Sequence, residues 1–150
     1  MADILVVEDD DAIRELLRRI LTTAGYGVSE APSGQQAIDF LQKGKFDLIL
    51  LDVMLGRTSG FEVLEEVDRK GLRAKSRVVM VTARNSEKDF LRGWQSGVDQ
   101  YLTKPFDPDA LIKAVREILL RSPEELAERR KEELKKAELL YRLESAFDRP

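Results

Sequence analysis

Four short apolar runs in this chain end in residues able to do chemistry. ILVV (4–7) runs into Glu8, Asp9, Asp10 and Asp11, DLILL (47–51) into Asp52, RVVMV (77–81) into Thr82, and DQYLT (99–103) into Lys104, followed by Pro105. Each has an ordinary structural use. Acids ahead of a helix serve as caps, and one of Asp10 or Asp11 is expected to cap the first helix. Thr82 could cap a turn, and a single lysine is usually a solvated surface group. Those uses do not require all of them to fall where apolar runs end. Three carboxylates gathered at one point repel one another unless a hard cation sits among them, and Mg²⁺ prefers oxygen ligands, waters and a phosphate. A carboxylate can attack phosphorus to give an aspartyl phosphate. The charge on the transferred group then needs a cation, an amine and hydrogen-bond donors, because phosphoryl transfer is mostly positioning and electrostatics. Glu8, Asp9, Asp52, Thr82 and Lys104 supply those parts.

Composition narrows the alternatives. The 150 residues include neither histidine nor cysteine, which removes imidazole acid–base chemistry, serine-type triads, thiolate metal ligands and disulfides. Any chemistry runs on carboxylates, hydroxyls and amines. With 25 basic and 28 acidic side chains the net charge is -3, which gives no electrostatic case for nucleic acid or an anionic membrane surface. The N-terminus is acidic where a signal peptide is basic, and no apolar run approaches the ~20 residues that span a bilayer. The sequence reads as a cytoplasmic protein with no membrane insertion.

Something must hold these groups at one place. The apolar runs, with YGVSE (26–30) as a fifth, alternate with stretches of helical spacing such as Ile13, Leu16, Leu17, Ile20, Leu21 and Ala24, or Ala110, Leu111, Ala114, Val115, Ile118 and Leu119. A β–α repeat of this kind predicts a doubly wound α/β fold. ILVV and the LILL of DLILL are apolar throughout, as central parallel strands covered on both faces must be, whereas YGVSE alternates like an edge strand. In open α/β sheets ligands sit beyond the carboxyl ends of the strands, which is where the acids, hydroxyl and amine fall.

The motifs ILVVEDD, LLDVML, VTAR and YLTKPF, in that order, resemble the receiver domain of two-component response regulators over residues 3 to about 121. The resemblance implies a flavodoxin-like, five-stranded parallel sheet of order 2-1-3-4-5 and a phosphoacceptor signalling domain spanning residues 1–121. It makes Asp52 the phosphoacceptor, Asp9 a direct Mg²⁺ ligand, Glu8 its partner in the acidic pair, and Met54 the donor of a backbone carbonyl to the metal. Thr82 and Lys104 then bind the phosphoryl oxygens, and Tyr101 matches the aromatic switch position. The phosphodonor is a partner histidine kinase or histidine phosphotransfer protein. No independent substrate turnover is expected beyond self-phosphorylation and slow dephosphorylation. Met54 and Arg84 flank the phosphoryl group in such domains, and neither can orient an attacking water, so slow phosphate loss is expected. One departure is Gly56, where the family usually has proline, which predicts a looser loop after Asp52.

Two other readings compete. A degenerate receiver would be a phosphorylation-independent interaction module, but it would lose Asp52, Thr82 or Lys104. A haloacid-dehalogenase-like phosphohydrolase carries DxD after its first strand, whereas the isolated Asp52 follows the third.

Residues 122–150 read as an added amphipathic helix. Ser122, Pro123 and Glu125 form a capping box with proline at the first helical position. Residues 121–150 hold eight basic and eight acidic side chains, as a solvated spacer would, yet Leu126, Leu134, Ala137, Leu140, Tyr141 and Phe147 share one side, interrupted by Arg130, Glu133 and Glu144. Docking or self-association is expected of it, and the stretch has no room for a winged helix or helix-turn-helix, so no direct nucleic-acid contact is expected. Receivers of the winged-helix branch carry paired charges on the face formed by the fourth helix, fifth strand and fifth helix. The matching positions here are Phe90, Gln100, Ala110 and Ala114, with Trp94 nearby. An apolar contact through Phe90 and Trp94 is expected instead, to the C-terminal helix, a second copy or an effector.

Overall fold

The computed structural model describes residues 1–83 and 87–147. Arg84, one of the two residues expected to flank a phosphoryl group, lies outside them. Five parallel strands form the sheet: β1 (Asp3–Val7), β2 (Gly27–Ala31), β3 (Leu48–Asp52), β6 (Arg77–Thr82) and β7 (Gln100–Thr103), in the spatial order β2-β1-β3-β6-β7. A small antiparallel hairpin, β4 (Met54–Leu55) and β5 (Thr58–Ser59), follows β3. Counting only sheet strands, this is the expected 2-1-3-4-5 arrangement, with alternating β2 at an edge and all-apolar β1 and β3 inside.

Successive strand residues point to opposite faces, so a strand covered on both faces must be apolar at every position. Leu5, Val7, Ile49, Leu51 and Met80 pack on one face with α2 (Gly34–Lys43) and α3 (Gly60–Arg69), through Ala37, Leu41, Phe61 and Leu64. Ile4, Val6, Leu48, Leu50, Val79 and Val81 pack on the other with α1 (Asp11–Thr23) and α5 (Pro108–Leu120), through Leu17, Leu21, Leu111, Val115 and Ile118. Each fully buried leucine contributes about 1.5–3 kcal/mol, and truncating one such as Leu50 to alanine costs about 2–5 kcal/mol.

Helix starts are fixed locally. Asp10 caps α1 by accepting from the Ile13 amide at 3.0 Å, Ser33 caps α2, and Ser59 caps α3. Asp11 instead meets Arg14 in the first turn. On the far side, α4 (Glu87–Gln95) precedes β7, and α6 (Pro123–Phe147) follows α5. The capping box at the start of α6 is present: Ser122 Oγ accepts from the Glu125 amide at 3.1 Å, and the Ser122 amide donates to Glu125 Oε1 at 3.3 Å.

The added helix docks on the receiver body. It packs along α4, Leu126 joins the core beside α5, and Ala137 is buried. Its expected apolar side is only partly used. Leu134 is half-buried, while Leu140, Tyr141 and Phe147 are exposed. The nine residues of α4 rise about 13 Å and the 25 of α6 about 37 Å, so α6 outruns the surface beneath it. No helix among the described residues is long and apolar enough to cross a membrane.

Candidate functional site

Parallel register brings the strand ends level. Val7 lies opposite Leu51, Asp52 opposite Val81, and Thr82 opposite Thr103, so the residues that end or follow β1, β3, β6 and β7 share one rim. The Glu8 amide continues the ladder by donating to Ala31 O at 3.1 Å, which turns the Glu8 side chain inward until only 1 % of the residue is exposed. Asp9, one residue later, is exposed.

Asp52 is buried at the end of β3. Its Oδ1 accepts from the Met54 amide at 3.0 Å, and its Oδ2 accepts from Lys104 Nζ at 2.6 Å. The same ammonium donates to Glu8 Oε1 at 2.7 Å. Lys104 is placed by its backbone, whose amide donates to Thr82 O at 2.8 Å, and the Lys104–Pro105 peptide is cis. Thr82 is fully buried at the end of β6. The structure therefore gathers Glu8, Asp9, Asp52, Thr82 and Lys104 from four separate parts of the chain.

Behind Asp52 the backbone is packed without room for a side chain. A Cβ on Gly60 would lie 2.3 Å from Asp52 O, and the Gly60 amide donates to Val53 O at 2.7 Å. In place of the looser loop expected from Gly56, residues 54–59 form the β4–β5 hairpin, with Gly56 at φ +64° in its tight turn. Proline cannot adopt that angle and glycine adopts it without strain. Met54 contributes its amide to Asp52 and leaves its side chain half exposed at the mouth of the site.

Electrostatics single out Glu8. Burial first, and then a shared hydrogen bond with Asp52, push its carboxyl from 4.5 up to about 8, against the opposing pull of Lys104. Burial would lower Lys104, but its hydrogen bonds to Asp52 and Glu8 outweigh that and hold its ammonium above the ordinary lysine range. Glu8 Oε2 is buried without a hydrogen-bond partner, which is costly for a carboxylate oxygen. One carboxylate oxygen each from Glu8, Asp9 and Asp52 fall within 4.8 Å of one another. Three hard oxygen donors, with an unpartnered oxygen on Glu8, fit a divalent cation of the Mg²⁺ type.

The expected signalling residues lie away from this rim and touch each other. The Tyr101 ring meets Phe90 edge-on at 5.1 Å and Trp94 at 5.8 Å, and its hydroxyl donates to Asp89 O at 3.0 Å. Burial, and then the nearby Asp89 charge, push the phenol well above its usual range. Trp94 is 8 % exposed, with its ring against Tyr101, on the helix along which α6 packs. Phe90 is half-buried, Ala110 is exposed, and Ala114 is a core residue.

Three contributors escaped the sequence reading. A Cβ on Gly93 would lie 1.4 Å from the Tyr101 hydroxyl, so the tyrosine occupies the space that a side chain would fill. Asp99, 4 % exposed, accepts from Arg130 of α6 and from the Val78 amide. Arg130 had counted as an interruption of the apolar side of α6. Only the position of Asp99 ahead of a strand hinted at the first of this pair, and nothing in the sequence marked its partner.

A model of the response regulator receiver domain matches residues 4–116. The chain is similar to the phosphate regulon transcriptional regulatory protein PhoB of Pseudomonas aeruginosa, at 40 % identity over 79 % of this chain and 52 % of that protein. It is also similar to the transcriptional regulatory protein ResD of Bacillus subtilis, at 37 % identity over 79 % of this chain and 48 % of ResD. The chain thus spans about half the length of these relatives. Among solved structures, the Vibrio cholerae chemotaxis protein CheY4 superposes with a TM-score of 0.75 at 32 % identity, covering 79 % of this chain and 98 % of CheY4. The response regulator TrrA of Thermotoga maritima, solved in complex with Mg²⁺ and BeF, gives 0.69 at 33 % identity over 79 % of this chain and 99 % of its own. With Asp52, Thr82 and Lys104 on one rim of a parallel sheet, the chain belongs to the response regulator receiver domain family.

Proposed function

We propose that this receiver domain is phosphorylated on Asp52 by the phosphohistidine of a partner histidine kinase or phosphotransfer protein in the cytoplasm, and that it needs Mg²⁺. Residues 1–121 form the phosphoaccepting unit, and the amphipathic tail that follows, helical over Pro123–Phe147, is appended to it. The observation that carries the reading is the position of Asp52, buried at a strand end between the Met54 amide and the Lys104 ammonium. The chain has no histidine and so cannot be its own phosphohistidine donor.

A carboxylate oxygen of Asp52 attacks phosphorus, the P–N bond to the donor imidazole breaks, and the phosphoryl group ends on the aspartate. Glu8, Asp9, the Asp52 carboxylate and the Met54 carbonyl would hold Mg²⁺, which supplies positive charge to the phosphoryl oxygens. Lys104 is tied to Glu8 as well as Asp52, so the ammonium stays at the rim while it transfers a hydrogen bond from Asp52 to the incoming group. Thr82 hydrogen-bonds a phosphoryl oxygen from the end of β6. The buried rim keeps bulk water from competing for these contacts.

Incubation with acetyl phosphate and Mg²⁺, followed by intact mass, is expected to show one phosphoryl group per chain. Asp52→Ala and removal of Mg²⁺ should each abolish it. Labelling of Asp52→Ala at the wild-type rate would remove the assignment and leave a phosphorylation-independent interaction module.

A further inference from the structure

We infer that α6 is a built-in latch: by docking on α4 and gripping Asp99, it holds the unphosphorylated arrangement of α4 and β7, so that docking of α6 and phosphorylation of Asp52 oppose each other. This rests on the phosphoacceptor reading above.

The grip is specific. Arg130 Nη1 donates to Asp99 Oδ1, and Arg129 Nη1 reaches Asp99 O at 3.4 Å. Asp99 is nearly sealed from solvent, and its other oxygen accepts from the Val78 amide at 2.9 Å, while its own amide donates to Val78 O at 2.8 Å. One carboxylate thus ties α6 to the start of β6 and to the residue before β7. A buried carboxylate left without its guanidinium is costly, so this contact is hard to slide.

The gripped strands lead to the site. β6 runs from Arg77 to Thr82 at the phosphoacceptor rim, and β7 carries Tyr101 two residues beyond Asp99 and leads into Lys104. Tyr101 is fastened to α4 through the Asp89 carbonyl, the edges of Phe90 and Trp94, and the space left open by Gly93. α4 therefore lies between Tyr101 and α6, with the Tyr101 side on β7 and the other partner fixed through Asp99. In this arrangement Lys104 donates to the Asp52 carboxylate itself at 2.6 Å, a bond it must share with or yield to an incoming phosphoryl group. α6 is fitted to that arrangement: Leu126 and Ala137 are buried in it. When a phosphoryl group draws Thr82 and Lys104 toward Asp52, the ends of β6 and β7 shift against α4 and the fit of α6 is lost. Reciprocity follows, since if docking of α6 weakens beryllofluoride binding by a given factor, beryllofluoride weakens docking of α6 by the same factor.

The test uses the full chain with beryllofluoride and Mg²⁺, following hydrogen exchange across all segments and the fluorescence of Trp94, the single tryptophan. In the wild type, beryllofluoride is expected to protect the amides after Asp52 and to speed exchange in α6. Arg130→Ala and Ala137→Glu should each lower the half-saturating beryllofluoride concentration roughly fivefold or more, within the usual range of coupling between sites. Arg130→Lys should fall between Arg130→Ala and the wild type. Protection near Asp52 with α6 exchange unchanged, or the same half-saturation in all variants, overturns the latch and leaves the phosphoacceptor reading standing. No response at the Asp52 segment in the wild type removes both.

Discussion

Gly93→Ala should destabilise this protein although it improves a helix. Alanine in place of glycine within a helix is worth about 1 kcal/mol. Here the new Cβ would lie 1.4 Å from Tyr101 Oη, 2.2 Å from Cζ and 2.6 Å from Cε2, so the ring must leave. Leaving costs the hydrogen bond to Asp89 O, about 1 kcal/mol, and two edge-on ring contacts of about 0.5–1.5 kcal/mol each. The loss outweighs the helical gain by about 1–3 kcal/mol. With Tyr101 already cut back to alanine there is nothing to displace, and Gly93→Ala should then stabilise by up to about 1 kcal/mol. The change of sign between backgrounds, measured by urea unfolding of the four proteins followed by circular dichroism, is the diagnostic result. Stabilisation by Gly93→Ala in both backgrounds would refute the claim that the seat of Tyr101 depends on the missing side chain.

Gly60→Ala should push on backbone, because its Cβ would stand 2.3 Å from Asp52 O. We expect a loss of about 1–3 kcal/mol and labelling by acetyl phosphate slowed roughly tenfold or more through displacement of Asp52, read by unfolding and intact mass. The Glu8 carboxyl, raised from 4.5 to about 8, predicts a pH dependence. Below 4.5 it is protonated whether the chain is folded or not. As pH rises toward 8 the unfolded chain releases the proton and the folded one retains it, so metal-free stability falls across that window and levels above it. Saturating Mg²⁺ should flatten the slope and Glu8→Gln should remove it, both visible in melting temperature against pH. A metal-free slope unchanged in Glu8→Gln would assign the titration elsewhere.

The central sheet was legible because burial on both faces leaves a strand only one kind of sequence: ILVV and DLILL cannot alternate, whereas YGVSE at the edge can. The rim residues were legible for the opposite reason, since Asp52, Thr82 and Lys104 interrupt apolar runs at the point where those runs must end. Asp10 and Ser122 announced their helices because a cap acts within three residues of itself. What escaped were contacts made across the chain. Gly93 is an ordinary helical glycine until Tyr101 lies over it, and Arg130 is an ordinary surface arginine until Asp99 is found 31 residues earlier in sequence and within reach. The apolar side of α6 is covered only in part because of its length. At 100° per residue Phe147 has turned about 60° from Leu126, and by then α4 no longer lies underneath.

That overhang makes α6 a lever. Arg130 fixes it near one end, and the 17 residues from there to Phe147 extend about 25 Å. A tilt of about 10° about the Asp99 contact carries the far tip through about 4 Å, and buried Ala137 through about 2 Å, by the same rise per residue. Leu139, Leu140, Leu143 and Phe147 ride on that tip, all of them exposed. Any tilt at the Asp99 contact is thereby largest at the apolar end of the helix, the part farthest from the sheet it is tied to.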